Sequence, residues 1–319
     1  MNDHCEVFCA GNAVTDVLAR PVDHLAPTGT SQRLEDVALG PGGNTVNTGI
    51  ALARLGVNVR IAAAVGEDRF GQFLRERVRA EGLDDSGLLT LPNSKTSTSI
   101  VLVQSTGERR FLHFRGASAH FSEEHLAWEM VKGVRFFHYA SAFALPAFDG
   151  APLERALKRA RELGCQTSVN VCWDVQGRWL SLLQPALAYT DYLFPNLEEG
   201  HELTGQTEPH AIAERLRDAG VKTVIVKLGA QGCYVESIEG AFTSPGFAVQ
   251  PVDTTGAGDC FAAGFLATLC RGRSLMEAAR FANAAGALAT LGLGGADSAP
   301  TRAKVLAFLA RLRTRGDVA

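Results

Sequence analysis

No Gly-Lys pair occurs anywhere in this 319-residue chain. That excludes a P-loop, whose lysine follows a glycine so as to reach nucleotide phosphates. The seven cysteines (Cys5, Cys9, Cys165, Cys172, Cys233, Cys260 and Cys270) include no Cys-x-x-Cys pair, and their number is odd. Such a scatter argues against a zinc ribbon or a disulfide framework, and for small core residues in a reducing compartment. His201-Glu202 opens like a zinc-protease helix, but Gly205 stands where the second histidine is required. The His-Arg-Asp loop of protein kinases is missing. Strong charge is missing too: a net charge of −3 gives neither nucleic acid nor an anionic membrane an electrostatic footing. No apolar run is long enough to span a bilayer, and Met1–Glu6 lacks the basic and apolar regions of a secretion signal. A cytoplasmic location is expected.

What is present suits a folded protein with a sizeable core: 46% of residues are hydrophobic and 20% charged. Val7–Ala10 reads as a short buried strand ending at Gly11, and Thr45–Leu55 as a helix closed by Gly56. A strand over 57–65 and a helix over Arg69–Ala80 follow, the helix with Phe70, Phe73, Leu74 and Val78 on one face. This alternation predicts a parallel sheet with helices on its faces. It resumes with a helix over 153–162, strands over 166–171 and 192–194, helices over 198–204 and 211–219, and a strand over 223–228. Helices over 260–270, 275–291 and 304–313 close the chain. Segments 14–39 and 96–115 break the rhythm. The second reads as strands 98–103 and 110–114 about Thr106-Gly107-Glu108. They predict a small β flap that would keep water from a cleft, although a plain edge hairpin fits the same pattern. No linker divides the chain, so a single domain over 1–319 carrying this flap is expected.

Asp253-Thr254-Thr255-Gly256-Ala257-Gly258-Asp259 leads into the helical run from Cys260. Small residues let backbone N–H groups crowd around an anion, and a helix start adds favourable potential. The carboxylate of Asp259 in such a place suits chemistry on something bound beside a phosphate. Phe261 holds the position of the third glycine of a dinucleotide fingerprint, so that motif is excluded. A simple capping turn also uses Gly and Asp. Pro41-Gly42-Gly43-Asn44-Thr45-Val46-Asn47 reads as a Gly-rich turn into a helix. Its glycines admit a ligand closely, and Asn44 and Asn47 both donate and accept, as a polyol requires. An ordinary helix start looks similar. Asp16 lies beyond the first strand, where ligands gather in open parallel sheets. It would clamp two sugar hydroxyls or serve as a turn residue.

In this order and spacing, the two Gly-rich motifs resemble those of the ribokinase/PfkB family of carbohydrate and nucleoside kinases, and the likeness extends over essentially the full length. The resemblance implies an α/β fold, ribokinase-like: a doubly wound, mostly parallel sheet with helices on both faces and a small β lid. It implies transfer of the ATP γ-phosphate to a hydroxymethyl group, with Asp259 as base and Gly256, Ala257 and Gly258 as anion hole. At a helix N-terminus that carboxylate is expected to stay ionised. Family matching assigns Asp16, Gly42, Gly43 and Asn47 to the sugar, and Arg115 is the candidate cation for an acidic one. Pro195-Asn196-Leu197-Glu198-Glu199 matches an Asn-x-x-Glu motif, which implies that Asn196 and Glu199 organise Mg²⁺ and phosphate through water. Read alone, the same residues are an Asn-capped helix with an acidic first turn. Lys227, Gly229, Gly232 and Asn283 fall at nucleotide contacts, Lys227 where Thr is often found. Asp253 and Thr255 match a candidate K⁺ site. Pairing of two copies through the lid is a further implication.

The acceptor is the least legible part. Ser168-Val169-Asn170-Val171-Cys172-Trp173-Asp174 stands where sugar-acid and fructose kinases carry Asp-Pro-Asn-x-Arg. A neutral hexose, pentose or related polyol is the first expectation. A nucleoside is the second, with Phe111 and Phe114 available to stack on a base. From another class, a nucleotide- and sugar-binding regulatory protein with low turnover stays open.

Overall fold

The computed structural model describes residues 6–106 and 108–314. Cys5 and the rest of the N-terminal stretch, and Gly107 of the flap turn, lie outside the described residues. The first half contains the strands β1 (Val7–Ala10), β2 (Val14–Arg20), β3 (Asp36–Gly42), β4 (Val59–Gly66), β5 (Leu88–Leu91), β6 (Thr98–Val103) and β7 (Arg109–Phe114). It also contains the helices α1 (Asn44–Arg54) and α2 (Arg69–Ala80). The second half adds β8 (Phe136–Ala142), α3 (Ala151–Glu162), β9 (Gln166–Val171), α4 (Trp179–Leu187), β10 (Tyr192–Phe194), α5 (Leu197–Thr204), α6 (Pro209–Asp218) and β11 (Thr223–Lys227). The hairpin β12 (Gly232–Ser237) and β13 (Gly240–Pro245) precedes α7 (Ala257–Cys270), α8 (Leu275–Ala289) and α9 (Arg302–Thr314).

Nine strands form the large sheet in the order β13-β12-β11-β10-β9-β8-β1-β4-β5. Every pair from β11 to β5 is parallel; only the β11–β12 and β12–β13 pairs are antiparallel. The pleat deals successive side chains to opposite faces. Val7 and Cys9 join one core with Ile61, Ala63 and Val65, over which α1, α7 and α8 pack. Phe8 and Ala10 join the other with Ala62 and Ala64, covered by α3, α4 and α6. A fully buried Val, Leu or Phe contributes roughly 1.5–3 kcal/mol, so a one-residue slip in a central strand would exchange two cores at once.

The helix limits follow local chemistry. Asp68 accepts a hydrogen bond from the Gly71 N–H at 2.9 Å and starts α2 at the residue the sequence predicts. Helix α7 is buried along nearly its whole length and packs on α8 through small side chains. A Cβ on Gly264 would lie 3.0 Å from the Ala285 Cβ, so these helices approach as closely as alanine and glycine allow. β8 was not anticipated from the sequence: all seven of its residues are buried, and a strand covered on both faces shows no alternation.

The second sheet has the order β3-β2-β6-β7. β2 pairs antiparallel with β3 and parallel with β6, and β6 pairs antiparallel with β7. The two segments that broke the rhythm thus form one lid. Pro41 and Gly42, read from the sequence as part of a turn, are the last residues of β3, and Asp16, read as a clamp or a turn residue, lies inside β2 opposite Gly40. Gly42 is held opposite Val14 by the β2–β3 pairing, which fixes this edge of the site.

Candidate active site

Asp259 sits in the first turn of α7 and is 4% exposed. Three side-chain amides converge on its carboxylate. Asn44 Nδ2 donates to Oδ1 at 3.0 Å, Asn170 Nδ2 to the same oxygen at 3.2 Å, and Asn47 Nδ2 to Oδ2 at 2.9 Å. Asn44 and Asn47 come from the first turn of α1, and Asn170 from β9, so the site joins both halves of the chain. Lys227 Nζ donates to Asn170 Oδ1 at 2.9 Å, completing the chain Lys227–Asn170–Asp259. Burial pushes the Asp259 pKa up, against the amides of Asn44 and Asn47, the charge of Lys227 and the amide of Asn170. The sequence reading weighed only the helix start; burial, the largest cause, moves the pKa in the opposite direction. Sequence reasoning met Asn170 only within the run 168–174 and gave it no part at Asp259, its partner 89 residues away.

Gly256 precedes α7 with φ 74°. That left-handed conformation suits glycine, and a Cβ there would come within 2.6 Å of the Gly295 Cα. The turn therefore presses against the loop 291–295. Gly42 is constrained in another way: a Cβ on it would lie 2.3 Å from Asp16 Oδ2. The Asp16 carboxylate thus rests on the backbone leading to Asn44 and Asn47. Asn47 Oδ1 is buried without a partner, an acceptor left over after its amide group serves Asp259.

The inner face of the lid carries Asp16, Ser99, Arg109 and Phe111. A cavity of about 140 Å³ beneath it is lined by Asp16, Arg109 and Phe111 and, from the body, by Thr255, Gly294 and Gly295. Arg109 crosses from the lid to the body. It pairs with Asp253 Oδ2 at 2.7 Å and donates to Thr255 Oγ1 at 2.9 Å. The Asp253 carboxylate also accepts the N–H of Thr255 at 2.9 Å and of Gly294 at 2.7 Å. The candidate K⁺ residues are therefore already matched by a guanidinium and two N–H groups. Arg115, the cation nominated from the sequence, lies past the end of β7 and outside the lining of this cavity.

The side chains of Arg109 and Asp253 are 10% and 2% exposed, so breaking their pair leaves a buried charge uncompensated. Losing one partner of such a pair typically costs about 3–5 kcal/mol. Arg109→Met is expected to lower the thermal unfolding midpoint by several degrees, and adding Asp253→Asn to recover part of it. A double variant no more stable than Arg109→Met would rule out the pair as the cause.

A larger cavity, about 480 Å³, opens on the far side of the α7 start. Lys227, Gly229, Gly232, Gly258 and Asn283 line it along with Phe247 and Phe261, giving mostly apolar walls with a cation at one end. Four residues assigned to nucleotide from the sequence thus meet in one place. Asn283 spends its amide group on Ser244 and Pro245, holding the end of β13. Asn196 and Glu199 form a reciprocal capping box: Glu199 N–H donates to Asn196 Oδ1 and Asn196 N–H to Glu199 Oε2, each at 2.7 Å. Neither lines this cavity. Glu199 keeps one carboxylate oxygen outside that box, and burial raises its pKa against the pull of Lys227. Among the described residues no group of three or more His, Cys, Asp or Glu side chains could hold a metal. One buried carboxylate and one amide fit a hydrated Mg²⁺ carried mainly by nucleotide phosphates, and not a protein cage.

A doubly wound sheet with a β lid, a glycine-led helix start and a mostly apolar cavity beside a buried carboxylate together define a small-molecule phosphotransferase with an alcohol as acceptor. Residues 5–302 match the pfkB family carbohydrate kinase, and the chain belongs to that family. It is similar to an ATP-dependent ribose-1-phosphate kinase of Halopiger xanaduensis, 33% identical over 312 residues covering 95% of this chain and 97% of the relative. It is also similar to Fructokinase-1 of Zea mays, 31% identical over 286 residues covering 84% and 88%. The structure of Arabidopsis thaliana ribokinase complexed with ribose and ATP superposes with a TM-score of 0.85, at 25% identity, covering 96% of this chain and 99% of that one.

Proposed function

We propose that the protein transfers the γ-phosphate of Mg·ATP to a hydroxymethyl group of a small neutral sugar, with the whole chain acting as one kinase unit. The convergence of three amides on the buried Asp259, at the start of a glycine-led helix, carries this reading. Asp259 takes the proton of the acceptor hydroxyl, and the N–H groups of Gly256, Ala257 and Gly258 receive the transferring phosphoryl group. ATP fills the 480 Å³ cavity, its base among Phe247, Asn283 and their neighbours. Asn196 and Glu199 orient waters of Mg²⁺, and Mg²⁺ itself neutralises phosphate charge when bound. The sugar lies between Asp16, Gly42, Gly43 and Asn47, under the lid. Its neutrality follows from the surroundings, since Arg109 is already paired with Asp253. The outer lid face exposes Val37, Leu39, Ile100, Leu112 and Phe114, and such an apolar surface supports pairing with a second copy.

Mg·ATP turnover against free pentoses and hexoses, sugar acids, phosphosugars and nucleosides tests the proposal. One neutral sugar should stand out. Preference for a phosphosugar, as in the Halopiger relative's name, or for a nucleoside would overturn the choice of acceptor. Tight ATP binding with no acceptor would favour a regulatory protein.

Asp16 adds a pH signature. Burial raises its pKa to about 7, with Asp253 acting in the same direction, against the Ser99 hydrogen bond and the charge of Arg109. A clamp for hydroxyls works best as the carboxylate, so the sugar KM should fall as pH rises through about 7. Asp16→Asn should flatten that dependence; an unchanged profile would remove Asp16 from the sugar site. Stability has the opposite sign: the raised pKa favours folding in acid, and that contribution is lost as pH rises through the same value. Asp149, also raised to about 7 by burial, shares the stability effect, which makes KM the cleaner readout.

A further inference from the structure

Lys227 ends β11, and its ammonium makes no ion pair with any carboxylate among the described residues. Its hydrogen bond is the one to Asn170 Oδ1. The ammonium also lies close to the α7 start, since a Cβ on Gly258 would stand 3.5 Å from Nζ. It faces the larger cavity. The cation and the helix N-terminus both carry positive potential, so together they favour an anionic group at this spot. Its electrostatic influence reaches Asp259 and Glu199. These placements put one charge between the nucleotide cavity and the buried carboxylate.

We propose that Lys227 is a catalytic residue whose ammonium contacts the phosphoryl group in flight, while Asn170 ties it to Asp259. The inference rests on the kinase reading. In the step, the acceptor oxygen forms a bond to the γ-phosphorus as the bond from that phosphorus to the β,γ-bridging oxygen breaks. The acceptor proton passes to the Asp259 carboxylate, and ADP leaves with the bonding electron pair. Negative charge accumulates on the equatorial and bridging oxygens, and the ammonium stands where it opposes that charge without moving. The link through Asn170 makes the position of the cation depend on that of the base. A neutral hydroxyl side chain at residue 227 would supply a hydrogen bond but no countercharge.

The test compares wild type with Lys227→Met and Lys227→Arg. Turnover is read together with the affinities for Mg·ADP and a non-hydrolysable Mg·ATP analogue, both measured by calorimetry. Lys227→Met is expected to lower kcat roughly 10²–10³-fold, within the range for losing one preorganised charge donor. Its sugar KM should change little. Its preference for the ATP analogue over ADP should shrink by about tenfold, because the missing contact belongs to the γ-phosphate. Lys227→Arg should recover part of both, and it keeps the test alive if the Met variant does not fold. Loss of turnover with an intact preference for the analogue would overturn the proposal, leaving Lys227 a support for Asn170. Unchanged turnover would overturn it as well. The affinities need no acceptor: a wild type that phosphorylates nothing would sink the kinase reading by itself, while the analogue-to-ADP ratio still judges Lys227.

Discussion

Replacing Asp259 with asparagine is expected to cut turnover about 10²–10⁴-fold, the usual contribution of a general base, while nucleotide affinity stays near wild type. The substitution keeps shape and removes charge. Asn44, Asn47 and Asn170 all present N–H₂ groups to this position, and a carboxylate can accept from all three. An asparagine would turn one N–H₂ group toward these donors and lose an acceptor. That cost is offset because a buried charge is removed, which burial already disfavours. The variant should therefore fold and bind ATP, separating chemistry from structure. Steady-state rates with the best acceptor, set beside calorimetric ATP binding, provide the check. A variant with a tenth or more of wild-type turnover would take the role of base away from Asp259.

Gly256→Ala is expected to be nearly as damaging for a different reason. The residue occupies the left-handed region at φ 74°, where a non-glycine residue costs roughly 1–3 kcal/mol. The added methyl would also meet the backbone of Gly295 at 2.6 Å, which no rotamer can relieve. Either the 291–295 loop or the turn must move, and the turn carries the N–H groups assigned to the phosphoryl group. Loss of one such donor costs about 10²–10³-fold in kcat. The unfolding midpoint should fall by several degrees, while circular dichroism should still report a folded α/β protein. Wild-type turnover in Gly256→Ala would show that the turn can shift without consequence and would exclude it as the anion hole.

The parts of the site legible in the sequence are those whose chemistry is local. Gly256 to Asp259 and Gly42 to Asn47 are each a few consecutive residues, and the residue types alone announce close backbone approach. Val7–Ala10 was also readable as a short apolar run ended by Gly11, and 57–65 from the spacing of Val57, Val59 and Ile61. Long-range partners were not. Arg109 meets Thr255 across 146 residues, and no local pattern selects it over Arg115. Strand parity in β7 sets Arg109 and Phe111 on one face, but which face looks inward depends on how the lid docks. Asn170 was passed over for a related reason: β9 is buried, and a polar residue there gains meaning only once α1 and α7 converge on it. Asn196 and Glu199 show the reverse. Their capping box accounts for both residues without any ligand, so only binding data can add a metal role.

The lid is made by two separate excursions of the chain. One leaves after β1 and returns into α1; the other runs between β5 and β8. They meet along the parallel pairing of β2 with β6, where Thr15 to Ala19 lie opposite Thr98 to Leu102. The lid is therefore not a cassette. A chimera taking only one excursion from a relative would set foreign side chains against a resident strand in the middle of the sheet, and both must be exchanged together to transplant acceptor preference. The same pairing makes a change on β2 felt on β6, so substitutions in these two distant stretches are expected to be coupled.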